Sequence, residues 1–444
     1  MNVKVSIGEA VDKLSILEIK HKRIPDVAKL AEVQKEIDAL SECEPYKKTY
    51  AFFYHLLMYI NEHIWDLTVS VKQISFAHTD FAKISNEIFE YNQKRFRIKN
   101  WFNLITSSDI KEQKSYATTH CRIHIPSQFD IYTKIPEINY LILDYDVVSF
   151  DCDAKTLAIV QRLFTQPTIL YANDVVQPLY ITIDIARYAL GGSIREKYEF
   201  LPITYVAGGL LGDFIQALSV VCEKHYDTGR KGIVCLSSEK GDPFRFGLEN
   251  TYKDTYKLLS AQSYIKSYKI HSGEPYDVDL TIWRTTPGFF NSPPNWYHTY
   301  SNTYNVQWGK HPWIRIERDN KWNNRILVNT TNYRWPNLDF QLLYKIFGDS
   351  LLFISADAEQ YTHFCNTTNL SIEYQQITDF DELCCAIGSC GLFVGALSAP
   401  LAIAHAVNVP RIIGLNGGWD DQLNVDFRTI WKNVGYHVEE LISP

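Results

Sequence analysis

From about residue 201 onward the chain alternates short apolar runs with amphipathic stretches of helical length. "PITYVAGG", "GIVCLSS" and "VDLTIWR" read as strands, with "DFIQALSVVCEKHY" and "YKDTYKLLSAQSYI" as helices. A second series follows in "RILVNTT", "LDFQLLYKIFG", "LLFISA", "DELCCAIGSC", "GLFVGA", "APLAIAHAV" and "PRIIGL". Such alternation predicts parallel sheets with helices on both faces, since a parallel strand pair needs a long crossover and the crossover helix covers a face. Two series predict two doubly wound, Rossmann-like domains, 201–312 and 313–444. Ligands of such sheets lie outside the carboxyl ends of the strands, so facing halves would enclose a cleft. Between the series, "PGFFNSPPNWYHTYSNTYNVQWGKHPWI" is too irregular for a regular element.

Residues 1–116 read as an all-α domain. Ser6 followed by Glu9 fits a capping box, and Ile7, Val11, Leu14 and Leu17 repeat at helical spacing. A second helix starts at Asp26, with Val27, Leu30, Val33 and Ile37 on one side. Two long segments without Pro or Gly then predict a helical hairpin or bundle. Lys94, Arg95, Arg97 and Lys99 read as a solvated helix face. From 117 to 200, "CRIHI", "INYLILDYDVVSFD" and "PTILYA" are strand-like around a helical "AKTLAIVQRLF", which makes a small α/β connector. No internal repeat is apparent.

Composition narrows the partners. A net charge of -7 speaks against nucleic acid, which needs a concentrated basic surface. The start lacks a signal-peptide core, and the longest apolar run, "GLFVGALSAPLAIAHAV", is interrupted by proline and short for a membrane span. Nine cysteines without a CxxC pair suit reduced, mostly buried thiols in a cytoplasmic protein.

Two turns could carry chemistry. Gly208 and Gly209 end the first strand of the first series, Gly212 allows close backbone approach, and Asp213 stands at the start of the next helix. An ionised carboxylate there suits a general base, and a capping aspartate is its plainer role. "GGLLGD" has the wrong spacing for a dinucleotide fingerprint. In "LFVGALSAPLAIAHAV" a strand ends at Gly395, Ser398 is placed to cap a helix, and Pro400 fits its first turn. The free N–H groups of such a start form a diphosphate site. His405 reads as a core histidine. Asp-x-Asp pairs at Asp144 and Asp146, Asp151 and Asp153, and Asp277 and Asp279 offer a metal-dependent alternative, but none follows a nucleotide-binding block.

The order of these motifs resembles the heptosyltransferase type of glycosyltransferase, family 9, which has the two-domain GT-B fold. The resemblance covers roughly residues 201–430 and includes "ILVNTTNYRWPNLDF", the Glu359-x-Tyr361 region and "ITDFDELCCAIGSCGLFVG". It implies a metal-independent, inverting transfer of a sugar from a nucleotide-activated donor to an acceptor hydroxyl, with no cofactor. It further implies Asp213 as catalytic base, with Gly209, Gly212 and Gln216 at the acceptor loop. Arg334, Glu359 and the Gly395-Ala396-Leu397-Ser398 turn would hold the donor. The acceptor would be a glycan, a lipid-linked carrier or a protein. The sequence departs from the family pattern where Leu397 and Ala402 replace an acid and a histidine. A non-catalytic scaffold and a nucleotide-sugar epimerase are the alternatives. The first quarter resembles an uncharacterised bacterial and viral helical domain found near sugar-modifying genes, and that domain would bind the acceptor, a membrane-associated carrier or another copy of the chain.

Overall fold

The computed structural model describes residues 4–110, 119–171, 180–285, 296–333, 335–336, 338–396, 398–413 and 429–431. The chain forms two compact units, Met1–Leu201 and Pro202–Pro444.

The first unit opens with α1 (Ile7–Arg23), α2 (Val27–Asp38), α3 (Glu44–Thr49), α4 (Ala51–Lys72) and α5 (Thr79–Ile105). Ser6 Oγ accepts from the Glu9 amide at 3.1 Å, and Asp26 accepts from the Lys29 amide at 3.1 Å, so both helices start where local capping puts them. The box is left half closed, because the Glu9 carboxylate turns to Lys99 Nζ at 2.7 Å. Val11, Leu14, Leu57, Ile60, Ile98 and Phe102 make the core between the long helices.

The basic run on α5 is not a solvated face. Lys94 is 3%, Arg97 7% and Lys99 9% exposed. Lys94 meets Asp144 at 2.9 Å and lies over the Tyr140 ring, Arg95 meets buried Asp12 at 2.6 Å, and Arg97 meets Asp146 at 2.6 Å. Long stems bury well once the charged head has a partner, and every partner lies far away in sequence.

The same unit continues with β1 (His120–His124), α6 (Ile135–Asp144), β2 (Val147–Asp151), α7 (Ala154–Leu163), β3 (Ile169–Leu170), β4 (Tyr180–Asp184) and α8 (Gly192–Lys197). All four strands are parallel, in the order β3-β2-β1-β4.

The second unit holds two sheets. The first comprises β5 (Ile203–Ala207), α9 (Leu211–Thr228), β6 (Gly232–Leu236), α10 (Leu248–Ser260), β7 (Ile265–Ile270) and β8 (Val278–Asp279), followed by α11 (Trp296–Tyr304). Its parallel strands run β7-β6-β5-β8. The second comprises β9 (Ile326–Asn329), α12 (Phe340–Phe347), β10 (Leu351–Ser355), α13 (Ala358–Thr368), β11 (Glu373–Gln376), α14 (Phe380–Ser389), β12 (Leu392–Gly395), α15 (Ala399–Ala406), β13 (Arg411–Ile413) and β14 (Thr429–Trp431). It is parallel throughout, in the order β11-β10-β9-β12-β13-β14. Here Ile326 and Val328 face one apolar cluster with Phe340, Phe353 and Val394, while Leu327 faces another shared with α9 and α15. Alternation along a buried strand feeds both faces, as double winding requires.

The fold class is therefore the expected one, α/β with a pair of Rossmann-like sheets preceded by helices. The winding itself recurs: each sheet places its third, second, first and fourth strands side by side. The direction reverses between β1 and β4, between β5 and β8, and between β9 and β12, and such a reversal is where doubly wound sheets form a crevice.

The aromatic segment before β9 corrects another expectation. Its described part includes α11, and it packs as core. Trp308 Nε1 donates to the Gln216 carbonyl at 3.0 Å and Trp313 Nε1 to the Ile215 carbonyl at 2.7 Å, while the Trp313 amide donates to the Ala406 carbonyl at 2.9 Å. The segment thus ties α9 to α15, and its tryptophans satisfy their N–H groups inside. Among the described residues no helix is long and apolar enough to cross a membrane.

Candidate active site

The crevice between β5 and β8 gathers charge from three loops. After β5 the backbone turns at Gly208 and Gly209. A Cβ on Gly208 would lie 1.9 Å from the Lys240 carbonyl oxygen, and Gly209 has φ +94. Gly241, with φ +67, sits against Gly209 from the loop after β6. Only glycine allows these two loops to touch.

Asp213 lies in the first turn of α9, and Leu210, not Asp213, occupies the cap position. Its carboxylate pairs with Arg284, which follows β8, and the same guanidinium pairs with Asp242 from the loop after β6. The Asp213 side chain is 20% exposed and that of Arg284 29%, so the pair is reachable yet sheltered. Burial opposes the charge on Arg284, but Asp213 and Asp242 more than offset it and raise its pKa. Beside them, Lys240 meets Asp279 at 3.0 Å and the Tyr276 hydroxyl at 3.0 Å. Those contacts, Tyr276 first, raise its pKa as well.

The crevice between β9 and β12 is built differently. Gly395 ends β12 in register with Asn329, and a Cβ there would lie 2.8 Å from the Asn329 carbonyl oxygen. Ala396 is buried. Ser398 occupies the cap position of α15 with Pro400 in the first turn, but its hydroxyl donates to the Ala396 carbonyl at 3.1 Å and accepts nothing from the helix. The expected side-chain cap is therefore absent, which leaves the first N–H groups without it. Among the described residues, buried Asn329 Oδ1 and Thr330 Oγ1, at the end of β9, have no hydrogen-bond partner. Glu359 is exposed in the first turn of α13, with its amide bonded to Asp357 at 2.9 Å. Arg334 and Leu397 lie outside the described residues.

The two turns meet. A Cβ on Gly212 would lie 3.5 Å from Ala399 Cα and 3.7 Å from the Ser398 carbonyl carbon. Gln216, expected at the acceptor loop, instead lies one turn into α9, buried at 4% exposure with its amide nitrogen 2.8 Å from His405 Nδ1. Four residues beyond Gly212 it shares that face of the helix, which here is covered by α15. His405 is a buried core residue, as the sequence implied, and burial holds its pKa well below the usual histidine range.

The Asp-x-Asp pairs are engaged elsewhere. Asp144 and Asp146 hold Lys94 and Arg97, Asp151 meets His124 at 2.9 Å, and Asp153 caps α7. Asp277 accepts from the Thr204 amide at 2.7 Å, and Asp279 holds Lys240 and Thr281. Among the described residues no group of three or more His, Cys, Asp or Glu side chains is placed to hold a metal ion.

Sequence reasoning missed Arg284 and Asp242. Neither belongs to a motif, and the one local hint was an arginine following the apolar "LTIW" at a strand end.

Comparison with known proteins gives three kinds of finding. Residues 1–133 match a family of unknown function, DUF6165. No curated protein matches the chain. Among solved structures the chain is similar to the glycosyl transferase family 9 protein from Veillonella parvula, with 13% identity and TM-score 0.27, over 74% of this chain and 92% of that one. It is similar to the iron-containing dodecameric glycosyltransferase TibC from enterotoxigenic E. coli, with 13% identity and TM-score 0.37, over 53% of this chain and 64% of that one. A third is E. coli ADP-heptose lps heptosyltransferase II, with 12% identity and TM-score 0.23, over 71% and 90%.

Proposed function

We propose that the chain is a glycosyltransferase that moves a sugar from a nucleotide-activated donor to an acceptor hydroxyl, without a metal and with inversion. The observation that carries this reading is the approach of the Gly212–Asp213 turn to the Ser398–Pro400 turn, seen in the packing of Gly212 on Ala399. Two turns from two sheets, each beside a strand-order reversal, are then close enough to serve one reaction.

In this reading the acceptor binds outside β5 and β8, and Asp213 takes the proton from its hydroxyl. The acceptor oxygen attacks the anomeric carbon as the bond to the nucleoside diphosphate breaks on the opposite side. The departing diphosphate is received by the first-turn N–H groups of α15, where the field of aligned peptides favours negative charge. Gly395, Ala396, Leu397, Ser398, Arg334 and Glu359 complete the donor side, and Gly209 shapes the acceptor side. The chemistry needs no cofactor.

A thermal-shift screen against UDP, GDP, ADP and CMP compounds tests the donor half. A ligand at one hundred times its dissociation constant adds roughly 2.7 kcal/mol of stability. Sugar transfer by wild type and Asp213→Asn tests the base, and the variant should lose about 100-fold or more in kcat while keeping the nucleotide shift. No shift with any nucleotide supports the non-catalytic alternative. Full activity in Asp213→Asn removes the base from the mechanism, and an isomerised sugar formed without acceptor points to an epimerase.

A further inference from the structure

We infer that Arg284 is the positioning residue for Asp213, holding its carboxylate at the mouth of the crevice by anchoring it to Asp242 on the opposite loop. The inference rests on the proposed function for its catalytic meaning, but its geometry stands alone.

A carboxylate on the first turn of a helix has several rotamers within reach of its backbone position. One guanidinium removes that freedom. Arg284 sends one terminal nitrogen, Nη2, to Asp213 and the other, Nη1, to Asp242. The planar fork fixes the angle between its two contacts, which a lysine cannot do. The arginine is itself held, since its guanidinium lies 4.9 Å from the centre of the Trp283 ring, and Trp283 is buried. Asp242 is held because its loop is pressed onto the β5 turn through Gly208 and Gly241. Lys240 and Asp279 form a second link, between the loop after β6 and the end of β8. Three loops from three strands thus converge on one cation, with Asp213 the more buried of its two acids.

The test pairs kinetics with stability. Arg284→Gln keeps hydrogen-bonding capacity but removes the charge and the fork. It should lower kcat by about 100-fold, the cost of a misplaced reacting group. The donor KM and the nucleotide-induced thermal shift should stay unchanged, since the donor side belongs to the other sheet. Arg284→Lys should recover about tenfold of that loss, because an ammonium restores the charge but one contact at a time. Independently, the thermal midpoints of Asp213→Asn, Arg284→Gln and the double variant should be non-additive, with the double variant falling no further than the worse single one. Wild-type kcat in Arg284→Gln beside an inactive Asp213→Asn overturns this inference and leaves the proposed function standing. An active Asp213→Asn overturns the base assignment instead, and the midpoints still decide whether Arg284 holds Asp213. Additive midpoints overturn the holding role.

Discussion

Gln216 and His405, 189 positions apart, meet side chain to side chain: Nε2 of the amide lies 2.8 Å from Nδ1 of the imidazole in a buried contact between α9 and α15. The amide donates, so that ring nitrogen accepts and the imidazole is neutral. A proton on it would repel the donor and be stranded away from water.

This contact predicts a pH dependence. Burial, and secondarily Arg411, hold the His405 pKa well below its ordinary value of about 6.5. The unfolded chain therefore binds a proton below about pH 6.5 that the folded chain refuses, so stability is full above that pH and falls on acidification. Buried His120 adds a loss of the same sign. The thermal midpoint should drop between pH 7 and pH 5, and His405→Gln should flatten the drop. An unchanged slope in that variant would remove His405 as its source.

The glycines of the β5 turn should differ sharply. At Gly208 a Cβ would meet the Lys240 carbonyl oxygen at 1.9 Å, and backbone must move, so Gly208→Ala should destabilise by about 1–3 kcal/mol. At Gly212 the nearest atom would be 3.5 Å away, an ordinary contact, so Gly212→Ala should change stability by under about 0.5 kcal/mol. Urea unfolding of both variants checks the contrast, and equal losses would contradict it.

Arg97 gives a prediction for the first unit. It is 7% exposed and bonds both Asp146 and the Leu143 carbonyl, at 2.6 Å each. Asp146 also accepts from the Thr119 amide at 2.9 Å. Asp146→Ala strands a buried cation and should cost about 3 kcal/mol, read as an earlier transition in chemical unfolding. The Asp146 pKa is lowered, with burial outweighed by Thr119 and Arg97, so this contribution is present above about pH 4 and lost as pH falls through the depressed value. Acid unfolding of wild type and variant should therefore converge.

Thiol reactivity should be selective. All nine cysteines are free, and Cys152, Cys365 and Cys385 are half-buried while the others are buried. Native protein should react with a disulfide reagent at those three positions. Burial pushes Cys152 to about 11, so its rate should still be rising at pH 9. Fast labelling of Cys222 or Cys384 in native protein would contradict the packing around α9 and α14.

What the sequence made legible was local. Ser6 and Asp26 mark helix starts because a cap acts within three residues. The strands ending at Ala207, Leu236, Ser355 and Gly395 are legible because buried parallel strands are apolar on both faces. What it hid was distant. The acid that buries Arg97 lies 49 positions away, and the cation that clamps Asp213 lies 71 away. Ser398 has the residue type of a cap, but a hydroxyl can also donate, and this one donates to the Ala396 carbonyl instead. Spatial strand order is equally silent in sequence, so three sheets wound alike carried no visible repeat.

That shared winding constrains how the chain is made. In every sheet the earliest strand ends up in the interior, with one flank bare until the fourth strand emerges from the ribosome: β1 waits for Tyr180–Asp184, β5 for Val278–Asp279 and β9 for Leu392–Gly395. A nascent chain halted inside any of those intervals carries an unpaired apolar edge, the kind of surface that templates aggregation. Truncated forms ending just before Val278 or Leu392 should therefore precipitate during expression, and the full chain should stay dispersed.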